Sequence, residues 1–323
     1  MLLIDKYKND YDKFIYYNKI LKIITNNFNL NNDKANIQNL ILYSVPGIDK
    51  NYLVTKLINK LYKKNNIVTE DIEYTINGYS NLKTKITVKQ SKYHIVIDPS
   101  SNGFDKYIIN DIINEYSKSA ILNIVKDFGN YKLIVIDKID DLNQHSQSSL
   151  RRIIEKYSFN CRFIFISEQL TKIINSIMSR CFLLKIPLPN DKEILDVIMY
   201  INNKENLNIP LKILKIILNL SENKINIAIW LLDIYKNTNN LNNIMKYNEI
   251  INDIVKIIIN IKCIDNILNI IENCREKFYI LYITNIPIYD IIKIIMNKLI
   301  NNIADHHLKY IIIEETIKCE KKN

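Results

Sequence analysis

Glycine and proline are scarce in this chain, with only 4 Gly and 6 Pro among 323 residues. Little of the backbone is therefore suited to left-handed conformations and tight turns, and long helices are expected. The sequence also lacks any stretch of about twenty apolar residues without a charge or an asparagine. Its first residues, MLLIDKYKND, contain no apolar core of a secretory signal. We therefore expect no membrane partner.

Metal-binding patterns are missing as well. The five cysteines are scattered and never spaced as C-x-x-C, which argues against a zinc ribbon and favours reduced thiols inside a cell. The His306–His307 pair is more typical of a helix surface than of a metal centre. We therefore predict no metal site.

Arginine is rare, with five Arg among the 44 basic residues. Where composition favours lysine so strongly, an arginine indicates that a planar, bidentate donor is needed, because lysine is a point charge. Arg151 and Arg152 lie in SLRRIIEKY, and Arg180 lies in MSRC. The alternative is that these arginines are only solvated surface residues. The net charge of +10 favours an acidic partner such as nucleic acid.

Short apolar segments alternate with helical patterns through the first half of the chain. A segment of this kind that ends in a turn or an acid is typical of a buried parallel strand. Strands that alternate with helices predict a doubly wound α/β domain with a parallel sheet. The predicted strands are residues 39–45, 93–98, 131–137, 161–167 and 181–187, and the predicted helices between them include 50–64, 104–122, 146–158 and 170–180.

The strand pattern stops after PLPN, at residues 187–190. Three amphipathic segments follow and predict a small helical lid, and from about residue 240 every segment is again helical. We therefore predict three domains: an α/β domain at 1–186, a helical lid at 187–238 and an all-α domain at 239–323.

Residues 44–51, SVPGIDKN, resemble a phosphate-binding loop that has lost most of its parts. The functional pattern is G-x-x-x-x-G-K-[ST], in which backbone N–H groups surround the phosphates and the hydroxyl holds magnesium. Lys50 is in place, but Ser44 and Asp49 replace the two glycines and Asn51 replaces the hydroxyl. Gly47, Lys50 and Asn51 are therefore candidate residues of a degenerate nucleotide site.

The segment LIVIDKIDDL supplies Asp137 at the end of a predicted central strand, where such folds hold magnesium. In hydrolysing members a glutamate follows this aspartate and polarises the attacking water. Lys138 stands at that position, and an ammonium cannot accept the proton of the water. The next strand ends at Glu168 instead of a polar amide. These replacements argue against hydrolysis at this site.

Several segments resemble the small subunits of replication factor C, the AAA+ loader of sliding clamps. These are LRRIIEKYSFNCRFIFIS, MSRCFLLKIPLP with its Ser-Arg-Cys motif, and LIDKYKN at 3–9, in which Lys8 and Asn9 depart from the family. Residues 92–115 are similar to a stretch of the one small subunit whose ATP site is aberrant. The resemblance covers residues 3–235. It implies an AAA+ α/β domain, a lid and a C-terminal helical collar.

The resemblance also implies roles for single residues. Arg180, in the Ser-Arg-Cys motif, corresponds to an arginine finger that reaches the γ-phosphate bound by a neighbouring subunit. The second sensor arginine of the family is replaced by Asn226. Lys50 would then hold ATP or ADP structurally in this chain's own site, or serve no purpose. Arg151 and Arg152 would meet the neighbour's nucleotide site, contact DNA or be solvated.

The resulting hypothesis is a non-hydrolysing subunit of a heteropentameric clamp loader, with ATP and Mg in the neighbouring subunit. Its partners would be the other subunits, a PCNA-like clamp and primer–template DNA, which the family grips through backbone phosphates. Two alternatives remain: an active AAA+ ATPase with unorthodox motifs, and a standalone DNA-binding protein on a repurposed fold. We expect the chain in the nucleus, or at a cytoplasmic replication site if it is viral.

Overall fold

The structure is a computed structural model that forms two compact units, Met1–Asp233 and Ile234–Asn323. It describes residues 2–28, 37–63, 67–77, 83–99, 107–118, 131–238, 242–259, 267–283 and 288–322.

A seven-stranded mixed sheet organises the first unit. Its spatial order is β2-β3-β4-β5-β6-β1-β7. The five predicted strands are confirmed, and each of them pairs parallel with the others that lie next to it in the sheet. The strands are β1 (Leu40–Tyr43), β2 (Glu70–Asn77), β3 (Lys83–Gln90), β4 (His94–Ile97), β5 (Lys132–Ile136), β6 (Cys161–Ser167) and β7 (Phe182–Lys185).

The sheet also contains two strands beyond the predicted parallel ones: β2 and β3 pair antiparallel, and β3 adds antiparallel to β4. The two strands do not form continuous apolar segments. Ile86 and Val88 of β3 are buried, while Thr87 between them and Lys85 and Lys89 on either side are exposed. This alternation is typical of an antiparallel strand with one solvated face, and a strand of this kind has no continuous apolar segment in the sequence.

Helices connect several of the parallel strands in the first unit. Side chains cap the starts of some of these helices: Asp49 accepts from Tyr52 N, and Asn143 accepts from Ser146 N. The described helices are α1 (Leu3–Tyr7), α2 (Ile15–Asn27), α3 (Lys50–Leu61), a π-helical turn Ile108–Ile113 that continues into α4 (Asn114–Lys118), α5 (Gln144–Lys156) and α6 (Asn175–Met178). The remainder of the predicted helix 104–122 lies outside the described residues.

The predicted helix over 170–180 was wrong in its extent. The structure has a 3₁₀ turn at Leu170–Lys172, extended residues at Ile173 and Ile174, and then only the short helix α6. The buried side chain of Gln147 accepts a hydrogen bond from Ile174 N at 2.9 Å. Tertiary pairing of the backbone therefore overrides the local helical pattern.

The core of this unit lies between the sheet and helices α4 and α5. Ile134, Ile136, Phe163 and Phe165 of the central strands are completely or almost completely buried, and Leu150 of α5 packs against the same cluster. Continuous burial on both faces explains why β5 and β6 read as unbroken apolar segments.

Aromatic side chains attach the N-terminal segment to α3. The rings of Tyr11 and Tyr17 stack with centroids 4.7 Å apart, and the Tyr52 ring lies edge-on to both. Offset and edge-on pairs of this kind stabilise beyond the area that they bury. The segment before β1 is therefore fixed beside the start of α3.

Three further helices complete the predicted lid segment: α7 (Asp191–Lys204), α8 (Leu211–Ser221) and α9 (Ile225–Thr238). Ile194, Ile198, Ile217 and Ile229 form part of its buried apolar side. The boundary between the two compact units falls within α9, and the predicted domain boundaries at residues 186 and 238 stay predictions.

The second unit is helical, as the sequence predicts, and contains α10 (Asn242–Ile259), α11 (Ile267–Ile283), α12 (Ile288–Asn302) and α13 (His306–Lys322). Its core is made by buried residues of three helices, among them Ile254, Leu281, Ile291 and Leu299. None of the described helices in either unit combines the length and apolar character needed to cross a bilayer. The fold is thus an α/β domain with a mainly parallel sheet, followed by a C-terminal helical region.

Candidate functional site

The degenerate phosphate loop lies at the carboxyl edge of the sheet. It joins the end of β1 to the start of α3, and β1 lies between β6 and β7. Ligands of open α/β sheets bind at this edge, where neighbouring crossovers leave in opposite directions. The sequence-based prediction of strand, loop and helix around residues 44–51 is therefore matched by the local structure.

Lys50 is turned into the protein. Its side chain is 6 % exposed, and its Nζ forms an ion pair with Glu168 Oε1 at 3.3 Å. The same Nζ donates to Ser44 Oγ at 3.4 Å. The ammonium thus bridges the residue that replaces the first glycine of the loop and the residue at the end of β6.

Asn51 and Asp137 are direct partners. Asn51 Nδ2 donates to Asp137 Oδ2 at 2.7 Å, so the amide that replaces the expected hydroxyl contacts the acid that was expected to hold magnesium. Lys138 follows in a left-handed conformation with φ 50°. Its Nζ lies 3.5 Å from Asp98 Oδ2, and the pair directs the ammonium to the end of β4.

Asp49 caps α3 from within the loop. Its Oδ1 accepts from Tyr52 N at 3.0 Å, and its Oδ2 lies 3.5 Å from Lys8 Nζ. A carboxylate at this position also interacts favourably with the positive end of the helix dipole. Sequence analysis treated Asp49 only as a lost glycine, whereas the structure gives it a capping role.

The lid packs on Gly47. Gly47 has φ +101°, and a Cβ added to it would lie 2.8 Å from Lys224 Cβ. Its carbonyl oxygen accepts from Asn226 N at 3.1 Å. Asn226 therefore contacts the loop through its backbone, while its Oδ1 is buried without a partner among the described residues.

Asp140 is a residue of this site that the sequence did not indicate. It is 9 % exposed, and its Oδ2 accepts from Glu168 N at 3.2 Å and from Gln169 N at 3.1 Å. These bonds fix the backbone that carries Glu168 beside Lys50. Asp140 could have been suspected from the acids that follow β5, but its partners are distant in sequence.

The candidate nucleotide residues Gly47, Lys50, Asn51 and Asp137 thus come together. Among the described residues, no group of three or more His, Cys, Asp or Glu side chains is arranged to hold a metal ion. A cavity of about 590 Å³ adjoins Asn51 and Asp137, and His94 lines it. Burial lowers the pKa of His94 to about 4.

Arg180 lies at the opposite edge of the sheet from the phosphate loop. It precedes β7, which pairs parallel with β1 so that Leu40 is opposite Phe182. The loop follows the carboxyl end of β1, whereas Arg180 stands before the amino end of β7. β7 has four residues, so the two edges are about 13 Å apart. Arg180 therefore belongs to a separate surface of this chain.

Polar groups within the chain orient Arg180. Nη2 lies 2.7 Å from Glu155 Oε1, and Nη1 donates to the Ser176 carbonyl at 2.7 Å. The side chains of Arg180 and Glu155 are 39 % and 44 % exposed. Arg151 Nε lies 3.7 Å from the same Glu155 oxygen. We call Arg151, Glu155 and Arg180 the arginine cluster.

Arg152, also on α5, is exposed. Next to Arg180, burial raises the pKa of the Cys181 thiol to about 12, so Cys181 is not poised to react as a thiolate. Sequence reasoning did not identify Glu155, although its spacing of four residues from Arg151 on a helix is one that favours contact.

Gln147 connects α5 to the segment that leads to Arg180. It is completely buried. Its Nε2 donates to the carbonyl oxygens of Leu142 and Lys172, both at 3.0 Å. Its Oε1 accepts from Ile174 N at 2.9 Å. The backbone before α6 is thus held on the same helix that carries Glu155.

Known proteins match this chain in three ways: a family model, similar sequences and a solved structure. The model of the family described as "DNA polymerase III, delta subunit" matches residues 18–190. A protein named as a replication factor C small subunit in Acanthamoeba polyphaga mimivirus is 35 % identical over 286 residues, which cover 88 % of this chain and 76 % of the relative. Replication factor C subunit 3 of Arabidopsis thaliana is 30 % identical over 65 % of this chain, which spans 59 % of that relative.

A solved structure of a Thermotoga maritima RuvB variant has a TM-score of 0.44 to this chain at 13 % identity. The alignment covers 79 % of this chain and 67 % of the other. The family relationship rests on the sequence matches.

Proposed function

The chain belongs to the family of replication factor C small subunits, and from that premise we propose that it is a non-hydrolysing subunit of a heteropentameric clamp loader. In this proposal, Arg180 completes the ATP site of a neighbouring subunit. The complex loads a PCNA-like clamp onto primer–template DNA, in the nucleus or at a viral replication site in the cytoplasm.

The observation that carries the proposal is the separation of Arg180 from the chain's own phosphate loop. The guanidinium stands before the amino end of β7, and the loop follows the carboxyl end of the adjacent β1. The side chain cannot cross the roughly 13 Å between the two edges. A half-exposed guanidinium that cannot serve its own site is suited to serve a neighbour's γ-phosphate, as arginine fingers given in trans do.

The chain's own site supports a role without hydrolysis. At the position of the water-activating glutamate, Lys138 pairs with Asp98. Asp137 accepts from Asn51. Glu168, at the end of β6, is not a free carboxylate either, because it pairs with Lys50.

The second unit supports assembly with other subunits. One side of α13 carries exposed apolar side chains, with exposed fractions of 70 % at Tyr310, 39 % at Ile313 and 47 % at Ile317. Exposed apolar patches of this kind typically mark protein–protein interfaces. A collar of helices from several subunits would cover this side of α13.

DNA binding is proposed from family and charge. The net charge is +10, and basic side chains that neutralise backbone phosphates bind with little dependence on sequence. The exposed Arg152 is available for such a contact. In this proposal, binding weakens steeply as salt concentration rises.

The test is ATP hydrolysis by the reconstituted complex, with DNA and clamp present. The phosphate-loop lysine is substituted in every other subunit except the neighbour that faces Arg180. Only the ATP site of that neighbour then contributes to the measured rate. Arg180→Ala should lower this rate by a factor on the order of 10³, and Arg180→Lys should not restore it, because lysine lacks the bidentate fork. Arg275→Ala, which changes an exposed arginine on α11, is the matched control and should leave the rate unchanged.

Gel filtration of the same complexes separates catalysis from assembly. If Arg180→Ala reduces the rate while the pentamer stays intact, the trans role is supported. Hydrolysis by the isolated chain would favour an active ATPase instead. A chain that stays monomeric beside its partners, with Arg180 dispensable, would favour a standalone DNA-binding protein.

A further inference from the structure

We infer that the chain's own phosphate loop takes no nucleotide, because its own side chains satisfy the groups that would hold phosphates and magnesium. This inference deepens the proposed function and rests on it for the identity of residues 44–51 as a relic phosphate loop. The family implies ATP or ADP at this position, and the residues present do not fit it.

The first misfit is at the start of α3. A phosphate loop binds anions because the first N–H groups of the helix are unpaired and the helix dipole is positive there. In this chain Asp49 Oδ1 already accepts from Tyr52 N at 3.0 Å. A fixed carboxylate occupies the anion position, and its charge repels an incoming phosphate.

The second misfit is the engagement of Lys50. Its Nζ pairs with Glu168 Oε1 at 3.3 Å and with Ser44 Oγ at 3.4 Å, in a side chain that is only 6 % exposed. A phosphate would have to displace Glu168 from a nearly buried ammonium. The backbone of Glu168 is in turn fixed by Asp140, which accepts from Glu168 N and Gln169 N.

The third misfit concerns magnesium. Asp137 Oδ2 accepts from Asn51 Nδ2 at 2.7 Å, so an uncharged amide fills the place of the hydroxyl and meets the acid directly. Magnesium prefers near-ideal octahedral oxygen coordination and usually shares its ligands with phosphates. An amide nitrogen that points at the acid supplies no ligand oxygen on that side.

The lid adds a contact that needs no nucleotide. Asn226 N donates to the Gly47 carbonyl at 3.1 Å, and Lys224 Cβ would lie 2.8 Å from a Cβ on Gly47. Loop and lid are therefore joined through the chain's own backbone. The subunit would keep one arrangement throughout the ATP cycle of the complex and present Arg180 as a constant element.

The experiment is equilibrium binding of radiolabelled ADP and ATPγS, each with magnesium, to the full-length chain. Thermal unfolding with 1 mM of either nucleotide as the chosen test concentration gives a second readout. Wild type should retain no nucleotide, and its Tm should not move, whereas a nucleotide at roughly 100 times its Kd raises Tm by several degrees. Saturable binding by wild type with Kd below about 100 µM, which would give a measurable Tm rise, overturns the inference.

A repaired variant tests the assigned cause. Ser44→Gly, Asp49→Gly and Asn51→Thr together rebuild the pattern G-x-x-x-x-G-K-T and should gain nucleotide binding. Because Asp49→Gly removes a helix cap, Glu168→Gln alone is a milder second variant that frees Lys50, with the exposed Glu70→Gln of β2 as its matched control. If neither variant gains binding over wild type, these side chains are not what excludes the nucleotide.

The experiments can contradict the proposed function and the inference about the phosphate loop independently of each other. A wild-type chain that binds ADP but hydrolyses nothing, in a complex that still depends on Arg180, overturns only the inference about its own site. A complex indifferent to Arg180→Ala, built on a chain that binds no nucleotide, overturns only the trans role.

Discussion

Gln147 gives the sharpest prediction for stability. Its amide makes three hydrogen bonds to backbone groups: two donated to the carbonyl oxygens of Leu142 and Lys172, and one accepted from Ile174 N. The residue is completely buried, so water does not replace these bonds easily. Gln147→Leu keeps a similar volume and removes all three.

The magnitude follows from the groups left behind. A buried polar group without a partner costs about 1–3 kcal/mol. We assign a cost in the upper part of that range to the unpaired N–H of Ile174. Each of the two carbonyl oxygens is assigned a cost in the lower part, because carbonyls tolerate weaker pairing than N–H groups. We therefore expect Gln147→Leu to lower the free energy of unfolding by roughly 3–6 kcal/mol.

Equilibrium urea unfolding of the full chain measures this loss. The single tryptophan, Trp230, lies in the same compact unit as Gln147, so its fluorescence follows the unfolding of that unit. Gln144→Leu, at an exposed position on the same helix, is the matched control and should change stability by less than about 0.5 kcal/mol. A loss below about 1 kcal/mol for Gln147→Leu would refute the reasoning, because it would mean that the three backbone groups find other partners.

Three further predictions concern other parts of the first unit. Burial lowers the pKa of His94 from 6.5 to about 4, so the folded state disfavours the protonated form. The free energy of unfolding should therefore fall by up to about 3 kcal/mol as pH drops from 6.5 to 4. Denaturation at several pH values should show this slope in wild type and a shallower one in His94→Asn. Gly47→Ala forces a Cβ to 2.8 Å from Lys224 Cβ at φ +101°, so it should destabilise by about 1–3 kcal/mol, measured by urea unfolding; an unchanged midpoint would contradict the close approach. Glu155→Gln removes the partner of Arg180, and since both side chains are over one third exposed, stability should change by less than about 1 kcal/mol. Hydrolysis at the neighbouring site should nevertheless fall, though less than for Arg180→Ala, and an unchanged rate would remove Glu155 from the positioning of the finger.

The elements that were predictable from sequence are those whose pattern is local. The five parallel strands are buried on both faces and therefore read as continuous apolar segments. Strand β3 (Lys83–Gln90) alternates buried and exposed side chains, and the side chains described in β2 are mostly exposed, so neither strand forms a continuous apolar segment. The helix predicted over 170–180 was wrong in its extent, because the bond between Ile174 N and Gln147 is long-range.

The same distinction holds for the candidate site. Lys50, Asn51 and Asp137 could be predicted to meet, because parallel strands end at one edge and the loop pattern fixes its spacing. Their actual partners could not be predicted, because the residue that meets Lys50 lies 118 positions away along the chain. The contact between Glu155 and Arg180 could not be predicted either, because only the fold brings the two side chains together.

The replacements in the phosphate loop are coordinated, and this argues against simple decay. An ammonium left alone in a nearly buried position costs several kcal/mol, and unpaired N–H groups at a helix start add to that cost. A loop that had merely lost its ligands would therefore retain such groups. Instead, Glu168 pairs with Lys50, Asp49 accepts from the helix, and Asn51 meets Asp137. Each side chain complements the charge or hydrogen-bonding group that a nucleotide or its metal would have satisfied. The lysine is then retained because the fold around it uses its charge, which is a sufficient reason for SVPGIDKN to keep Lys50 while losing the residues around it.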